Sequence, residues 1–239
     1  MANRQVKATV EQHQRLPCGE SGLERTTNPN ALLRGWRFGL KDKMEALHVS
    51  AIELLTPHFK LERKPEPLEV VINEPSLPDA KGSLQLRGPN DSVPAYLFIS
   101  PTRNRSLPEA EITCAHETGH HLHVALFGDY RPIVRNLEYE ERELIAIVSC
   151  FLFFEKTARL KEMKKVSEHQ KSNIDGKREK AVFTTLERLQ ISMEKALDVV
   201  LFPNDHKSDS VGTTWRQIVL HEYYKNFFKI DAYGRAWGP

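Results

Sequence analysis

The sequence is poor in cysteine, and the few cysteines it has are isolated from one another. Three occur among 239 residues, they form no C-x-x-C pair, and they lie far apart at Cys18, Cys114 and Cys150. An odd number of scattered cysteines argues against a disulfide framework and favours reduced thiols. We therefore expect a cytoplasmic protein.

Long hydrophobic runs are also missing. The N-terminal segment contains no apolar stretch of the kind that a secretory signal requires. The most hydrophobic run, residues 144–154, is eleven residues long and lies between Glu143 and Glu155, whereas a membrane span needs roughly 20 apolar residues. The run is typical of a buried helix, and we expect no membrane association.

Charge of one sign is not in excess either. The formal net charge is +2, with 40% hydrophobic and 28% charged residues, which is ordinary for a globular protein and gives no strong field toward nucleic acid. The basic stretch 156–180 also carries acidic residues and no interleaved aromatic residues. It favours a solvated helix pair with a turn near Asp175-Gly176, and we expect no nucleic-acid partner.

The pattern of the first hundred residues changes twice along the chain. Residues 1–29 are polar and aperiodic, which is typical of a flexible arm. Apolar residues then recur at helical spacing as far as His58, as one long helix or as two helices broken near Gly39. Strand candidates at 68–72, 83–87 and 94–100 predict a small, largely antiparallel sheet.

Helical patterns dominate the rest of the chain. They predict helices over 108–127 and 137–157, a third over 183–202 that ends at Pro203, and a last one over 213–228. We therefore expect an α+β fold, in which a small mixed sheet and helices form a core over residues 30–157. Residues 158–239 are expected to form a helical extension packed on that core.

The helix predicted over 108–127 contains an H-E-x-x-H motif, His-Glu-Thr-Gly-His, at residues 116–120. Residues four apart in a helix lie about 40° apart around the axis and roughly 6 Å along it, so His116 and His120 can reach one tetrahedral Zn²⁺ ion. Glu117 is rotated about 100° from His116, within reach of a metal-activated water whose proton it can take. The motif predicts one zinc ion and a hydrolytic reaction with Glu117 as general base.

A third ligand is expected from the next helix. A third histidine on a Gly-x-x-His extension is excluded, because those positions hold His123 and Leu126. Glu143 shares a helix face with apolar residues that must pack on the motif helix, and Ala146 on that face permits a close approach. Glu140 lies one turn earlier on nearly the same face and is the alternative.

The order of helix, small sheet, H-E-x-x-H helix and Glu-x-x-Ala helix resembles the gluzincin-type minimal metallopeptidases, and most of all the ImmA/IrrE-like peptidases. The resemblance covers about residues 31–157 and rests on the motif at 116–120, on Glu143-Leu-Ile-Ala146 and on the preceding strand Tyr96-Leu-Phe-Ile. It implies a zincin-like core, Glu117 as the catalytic base, and zinc ligation by His116, His120 and Glu143.

The same resemblance implies a zinc metallopeptidase that hydrolyses a peptide bond in a peptide or protein substrate. The alternative is a non-catalytic zinc-binding protein that uses the zincin fold to bind a regulatory partner. The presence of Glu117 in the motif favours an enzyme over a non-catalytic protein, because a purely structural zinc site needs no base beside its ligands.

Other polar residues are expected to have smaller roles. His121 and His123 are interpreted as partly exposed histidines without function, Cys114 as a core thiol and Cys18 as an exposed cysteine. Gly119 costs about 1 kcal/mol relative to alanine inside a helix, which predicts close approach of another backbone at the metal. A donor to the developing oxyanion is expected outside the motif helix, and the candidates are His221, Tyr223, Tyr224 and Tyr139.

Overall fold

A computed structural model describes residues 39–73, 81–85, 95–127, 139–169, 174–227, 229–230 and 236–237. All of them lie in the compact unit Trp36–Pro239. The arm predicted over residues 1–29, with Cys18, lies outside the described residues. The described part combines helices with a small sheet, which confirms the α+β class.

The first described helix, α1, spans Leu40–Leu55 and buries one apolar face. It begins at the predicted break, since Gly39 has a φ of 75° and a helix cannot pass through that left-handed conformation. Thr56–Phe59 follow as a single 3-10 turn that contains Pro57 and buries Phe59. Residues 29–38, where the helical pattern begins, lie outside the described part.

Three short strands form a mixed sheet. They are β1 (Glu69–Ile72), β2 (Gly82–Gln85) and β3 (Tyr96–Ile99), in the spatial order β1-β3-β2. β3 pairs antiparallel with β2 and parallel with β1. The prediction of a largely antiparallel sheet is therefore wrong, because β3 enters between the two earlier strands and runs in the same direction as β1.

The two helices of the motif region lie where their patterns predict them. α2 spans Leu107–Phe127 and α3 spans Tyr139–Lys156. Ser106 caps α2, because its Oγ accepts a hydrogen bond from the Glu109 amide at 3.4 Å, and the Glu109 carboxylate accepts one from the Arg105 amide at 2.9 Å. These two hydrogen bonds fix the start of α2 and with it the register of the motif.

Four helices and a strand pair follow. The helices are α4 (Leu160–His169), α5 (Ile174–Leu189), α6 (Met193–Leu201) and α7 (Ser210–Phe227), and the antiparallel pair is β4 (Lys229–Ile230) with β5 (Ala236–Trp237). The turn predicted near Asp175-Gly176 is wrong, because both residues lie in the first turn of α5.

The single helix predicted over 183–202 is also wrong, because it is broken between α5 and α6. Gln190 takes a left-handed φ of 54°, and Ser192 caps α6 by accepting a hydrogen bond from the Lys195 amide at 3.2 Å. A side-chain oxygen that satisfies an otherwise unpaired amide starts a new helix in place of continuing the old one.

The motif helix lies at the centre of the fold. α2 contacts α1, α3, α4 and the strands β2 and β3. The hydrophobic run 144–154 of α3 is buried over its whole length, as predicted. In the part of the chain that the structure describes, no helix is long and apolar enough to cross a membrane.

Candidate metal centre

The centre is formed by two helices, with two histidines from α2 and one carboxylate from α3. His116 Nε2 lies 3.4 Å from Glu143 Oε2, and His120 Nε2 lies 3.4 Å from Glu143 Oε1. The three potential ligand atoms all lie within 4.8 Å of one another, and the side chains are partly buried. Among the described residues this is the one group of histidine, cysteine and acidic side chains that could hold a metal ion.

The spacing of these atoms is compatible with one shared ion. Zn²⁺ binds histidine nitrogen and carboxylate oxygen at about 2.0–2.1 Å, which separates two ligands of a tetrahedron by about 3.3–3.4 Å. The distances from the two Glu143 oxygens to the histidine nitrogens are close to that value. Two neutral nitrogens and one carboxylate are also the ligand types that zinc accepts in catalytic sites.

Close contact between α2 and α3 brings the three side chains together. A Cβ on Gly119 would come within 2.9 Å of Ala146 Cα and 3.0 Å of Ser149 Cβ. The predicted close approach of a backbone to Gly119 is therefore found. Because this contact lies beside His120 and one turn beyond Glu143, it sets the distance between the ligands of the two helices.

The neighbouring histidines keep the buried Glu143 carboxyl charged. Burial alone would raise the pKa of this carboxyl, but hydrogen bonds with His116 and His120 outweigh it and hold the pKa well below its usual range. Arg178 of α5 adds a positive charge, with its Nη1 4.0 Å from Glu143 Oε2. The carboxyl is thus kept ionised, as a metal ligand must be.

Glu117 lies beside the ligands and is only 8% exposed. Burial raises the pKa of its carboxyl above the usual value, although the neighbouring His120 and His116 oppose the shift. The carboxylate also accepts a hydrogen bond from the backbone amide of Leu84 in β2. A buried carboxyl with a raised pKa next to a metal-ligand cluster is typical of a general base.

The alternation of β2 explains how Leu84 reaches Glu117. The Ser100 amide donates to the Lys81 carbonyl at 2.8 Å, so every second residue from Lys81 pairs with β3. Gly82 and Leu84 therefore direct their amides away from β3. Gly82 also touches α2, because a Cβ there would lie 2.5 Å from Thr113 Cγ2 and 3.2 Å from Glu117 Cγ.

A chain of buried hydrogen bonds connects α1 to the motif helix. His48 of α1 places Nδ1 2.8 Å from Thr118 Oγ1, while its Nε2 accepts from the Leu68 amide at 3.1 Å. Because Nε2 is the acceptor, Nδ1 carries the proton and donates to Thr118, which donates to the Cys114 carbonyl at 2.7 Å. Burial, with a contribution from His121, lowers the pKa of His48 to about 4.

The exposure predicted for two further histidines is wrong. His123 is 2% exposed and packs edge-on against Phe127, and burial lowers its pKa to about 3. His121 is also buried, with its ring 5.4 Å from that of His48. Both are covered because α2 is packed on several sides, which its own sequence pattern does not indicate. Cys114 is a buried thiol, as predicted.

The predicted oxyanion donors are not brought to the centre by any described contact. His221 lies in α7 with an exposed side chain. The side chains of Tyr139, Tyr223 and Tyr224 lie outside the described part of the structure, as does that of Glu140, the alternative third ligand. Their predicted roles therefore stay predictions.

Three neighbours of the centre were not predicted from the sequence. The Leu84 amide and His48 reach it through long-range contacts that no local pattern reveals. The burial of Arg178 does have a signal in the sequence. Arg178 lies four and eight residues before the buried Val182 and Leu186, so it shares their helix face. The prediction of a wholly solvated basic stretch is wrong at this position.

Comparisons with family models, with curated proteins and with solved structures found no match to this chain. The resemblance to the ImmA/IrrE-like peptidases therefore rests on the motif residues alone. The zincin-like core and the domain boundary at residue 157 stay predictions.

Proposed function

We propose that the protein is a zinc metallopeptidase in which His116, His120 and Glu143 hold one Zn²⁺ ion and Glu117 is the general base. The observation that carries the proposal is the pair of 3.4 Å distances from Glu143 to the two histidines, with a buried carboxyl of raised pKa beside them. The first feature fits a metal, and the second fits proton transfer.

Glu117 and Leu84 have different roles in the proposed reaction. A bound zinc ion would supply Lewis acidity, which lowers the pKa of water from 15.7 to about 7. Glu117 accepts the proton from the attacking water and returns it to the leaving amine. The Leu84 amide orients the Glu117 carboxylate through its hydrogen bond, so the base keeps one position beside the ligands.

The choice of a peptide as the substrate rests on the resemblance of residues 116–120 and 143–146 to the minimal metallopeptidases. Among the described strands β2 is an outer strand of the sheet, and Leu84 directs its amide toward Glu117. The outward-facing backbone of β2 at Leu84 therefore serves to hold the general base.

The test is cleavage of a peptide library by the zinc-loaded protein and by its Glu117→Gln variant. Loss of the base should lower kcat/KM by about 10²- to 10⁴-fold, because general bases contribute that much, while zinc binding is retained. Glu155→Gln is the matched control, since Glu155 is an exposed residue on α3, and it should leave cleavage unchanged.

Two outcomes would contradict the proposal. If the zinc-loaded wild type cleaves no peptide, the non-catalytic zinc-binding protein is the better account. If it cleaves but Glu117→Gln cleaves equally well, the assignment of Glu117 as the base is wrong.

A further inference from the structure

Arg178 is a buried cation next to the candidate metal centre. Its side chain is 3% exposed, and its Nη1 lies 4.0 Å from Glu143 Oε2, the same oxygen that faces His116. Lys177 and Lys180, its close neighbours on α5, are exposed. Burial of a guanidinium is costly unless an anion compensates it, so the orientation of Arg178 toward Glu143 is a specific feature of this helix.

A ring contact links α5 to α3. Phe183 of α5 stacks on Phe151 of α3 with ring centroids 3.9 Å apart and ring planes 15° apart. α5 packs mainly on α7, and the stacked rings connect it to the helix that carries Glu143.

We infer that Arg178 is a positioning residue for the metal centre, which holds the Glu143 carboxylate oriented toward His116 and His120. The inference rests on the proposed function, because Glu143 is taken as the third zinc ligand. It also gives residues 158–239 a role in the site, since α5 supplies the guanidinium.

The chemistry of the two groups supports this role. A carboxylate on a flexible side chain loses rotational freedom when it binds a metal, and partners that orient it beforehand reduce that loss. Arginine suits the task because its guanidinium is planar and always charged, whereas a lysine ammonium is a point charge on a flexible chain. Replacement of Arg178 should therefore weaken metal binding without removing a ligand.

The experiment measures the zinc dissociation constant of the full chain by competition with a chelating dye. Arg178→Met should raise the dissociation constant about 10- to 100-fold, which is the usual cost of losing a partner of a metal ligand. Arg178→Lys should recover part of the loss. Arg188→Met is the matched control, because Arg188 is exposed on the same helix, and it should leave the constant unchanged.

A second pair of variants separates positioning from a general structural effect. In a Glu143→Gln background the ligand that Arg178 orients has lost its charge, so Arg178→Met should change the zinc affinity little further. Equal losses in both backgrounds would overturn the inference, because they would mean that Arg178 acts without Glu143. If the methionine variant fails to fold, the same comparison of zinc affinities is made with Arg178→Lys in the two backgrounds.

The possible failures can be told apart. If wild type binds zinc and Arg178→Met, correctly folded by circular dichroism, binds it equally well, the inference is wrong and the proposed function stands. If wild type binds no zinc, the proposed function is wrong and this role of Arg178 is rejected with it.

Discussion

Gly119 of α2 packs directly against Ala146 of α3, and a Cβ on Gly119 would be 2.9 Å from Ala146 Cα and 3.2 Å from its carbonyl oxygen. The atoms that would clash belong to the backbone and cannot rotate away. A glycine inside the motif helix, which costs about 1 kcal/mol in an isolated helix, thus permits the contact that brings Glu143 to the histidines.

Gly119→Ala should therefore destabilise the protein and weaken the metal centre together. Overpacking of a close contact costs about 1–3 kcal/mol, which exceeds the gain of about 1 kcal/mol in helix propensity. We expect a lower free energy of unfolding in denaturant and a weaker zinc affinity. Ala146→Gly should not rescue the variant, because it leaves the clashing backbone atoms in place. A stabilised Gly119→Ala variant with unchanged zinc affinity would refute this account of the helix contact.

Asn104→Ala should destabilise the connection between the sheet and α2. The buried Asn104 donates to the Lys81 carbonyl at 3.0 Å and to the Ser100 carbonyl at 2.7 Å, and accepts from Thr113 Oγ1 at 2.8 Å. Unpaired buried groups cost about 1–3 kcal/mol each, so we expect a loss of about 2–4 kcal/mol of unfolding free energy. It is measured by urea denaturation.

The control for Asn104 is Thr102→Ala, at an exposed position of the same turn. A change there should stay within about 0.5 kcal/mol. Equal effects of the two substitutions would mean that the Asn104 hydrogen bonds do not hold β2 against the motif helix.

His48 should make the metal-free protein less stable as the pH falls. Its pKa is about 4 in the folded chain against an ordinary 6.5, so between these pH values the unfolded chain binds the extra proton. His48 alone then lowers the free energy of unfolding by up to about 1.4 kcal/mol per pH unit below pH 6.5, and by about 3 kcal/mol in all.

Denaturation of the metal-free protein at several pH values between 7 and 4 measures this slope. His48→Gln removes the titrating group, so its slope should be shallower than that of wild type by up to about 1.4 kcal/mol per pH unit. Parallel slopes would show that His48 does not contribute to the acid sensitivity of the fold.

The sequence predicts the elements of the centre well and their surroundings poorly, for a physical reason. Helix periodicity and capping are local, so α2 and α3 lie within two residues of their predicted bounds. Helix geometry and the apolar run after Glu143 also predict that Glu143 lies on the face of α3 directed toward the motif helix.

The contacts that protect the centre come from distant parts of the chain. Leu84 reaches Glu117 through the order of the sheet, and His48 reaches Thr118 across 70 residues. The burial of His123 depends on how many elements surround α2, which its own pattern does not encode. Arg178 shares a face with apolar residues, but its burial depends on the other elements packed around α5, chiefly α7.

The most direct test of the central claim is the zinc content of the purified 239-residue chain after dialysis against metal-free buffer, with its zinc affinity, both measured together with Glu143→Gln and Glu140→Gln variants. The account predicts one zinc per chain for wild type and for Glu140→Gln, and a zinc affinity at least about 100-fold weaker for Glu143→Gln, since each ligand carries several kcal/mol of the binding energy. A zinc content near zero in the wild type, or loss of zinc in Glu140→Gln with retention in Glu143→Gln, would contradict it.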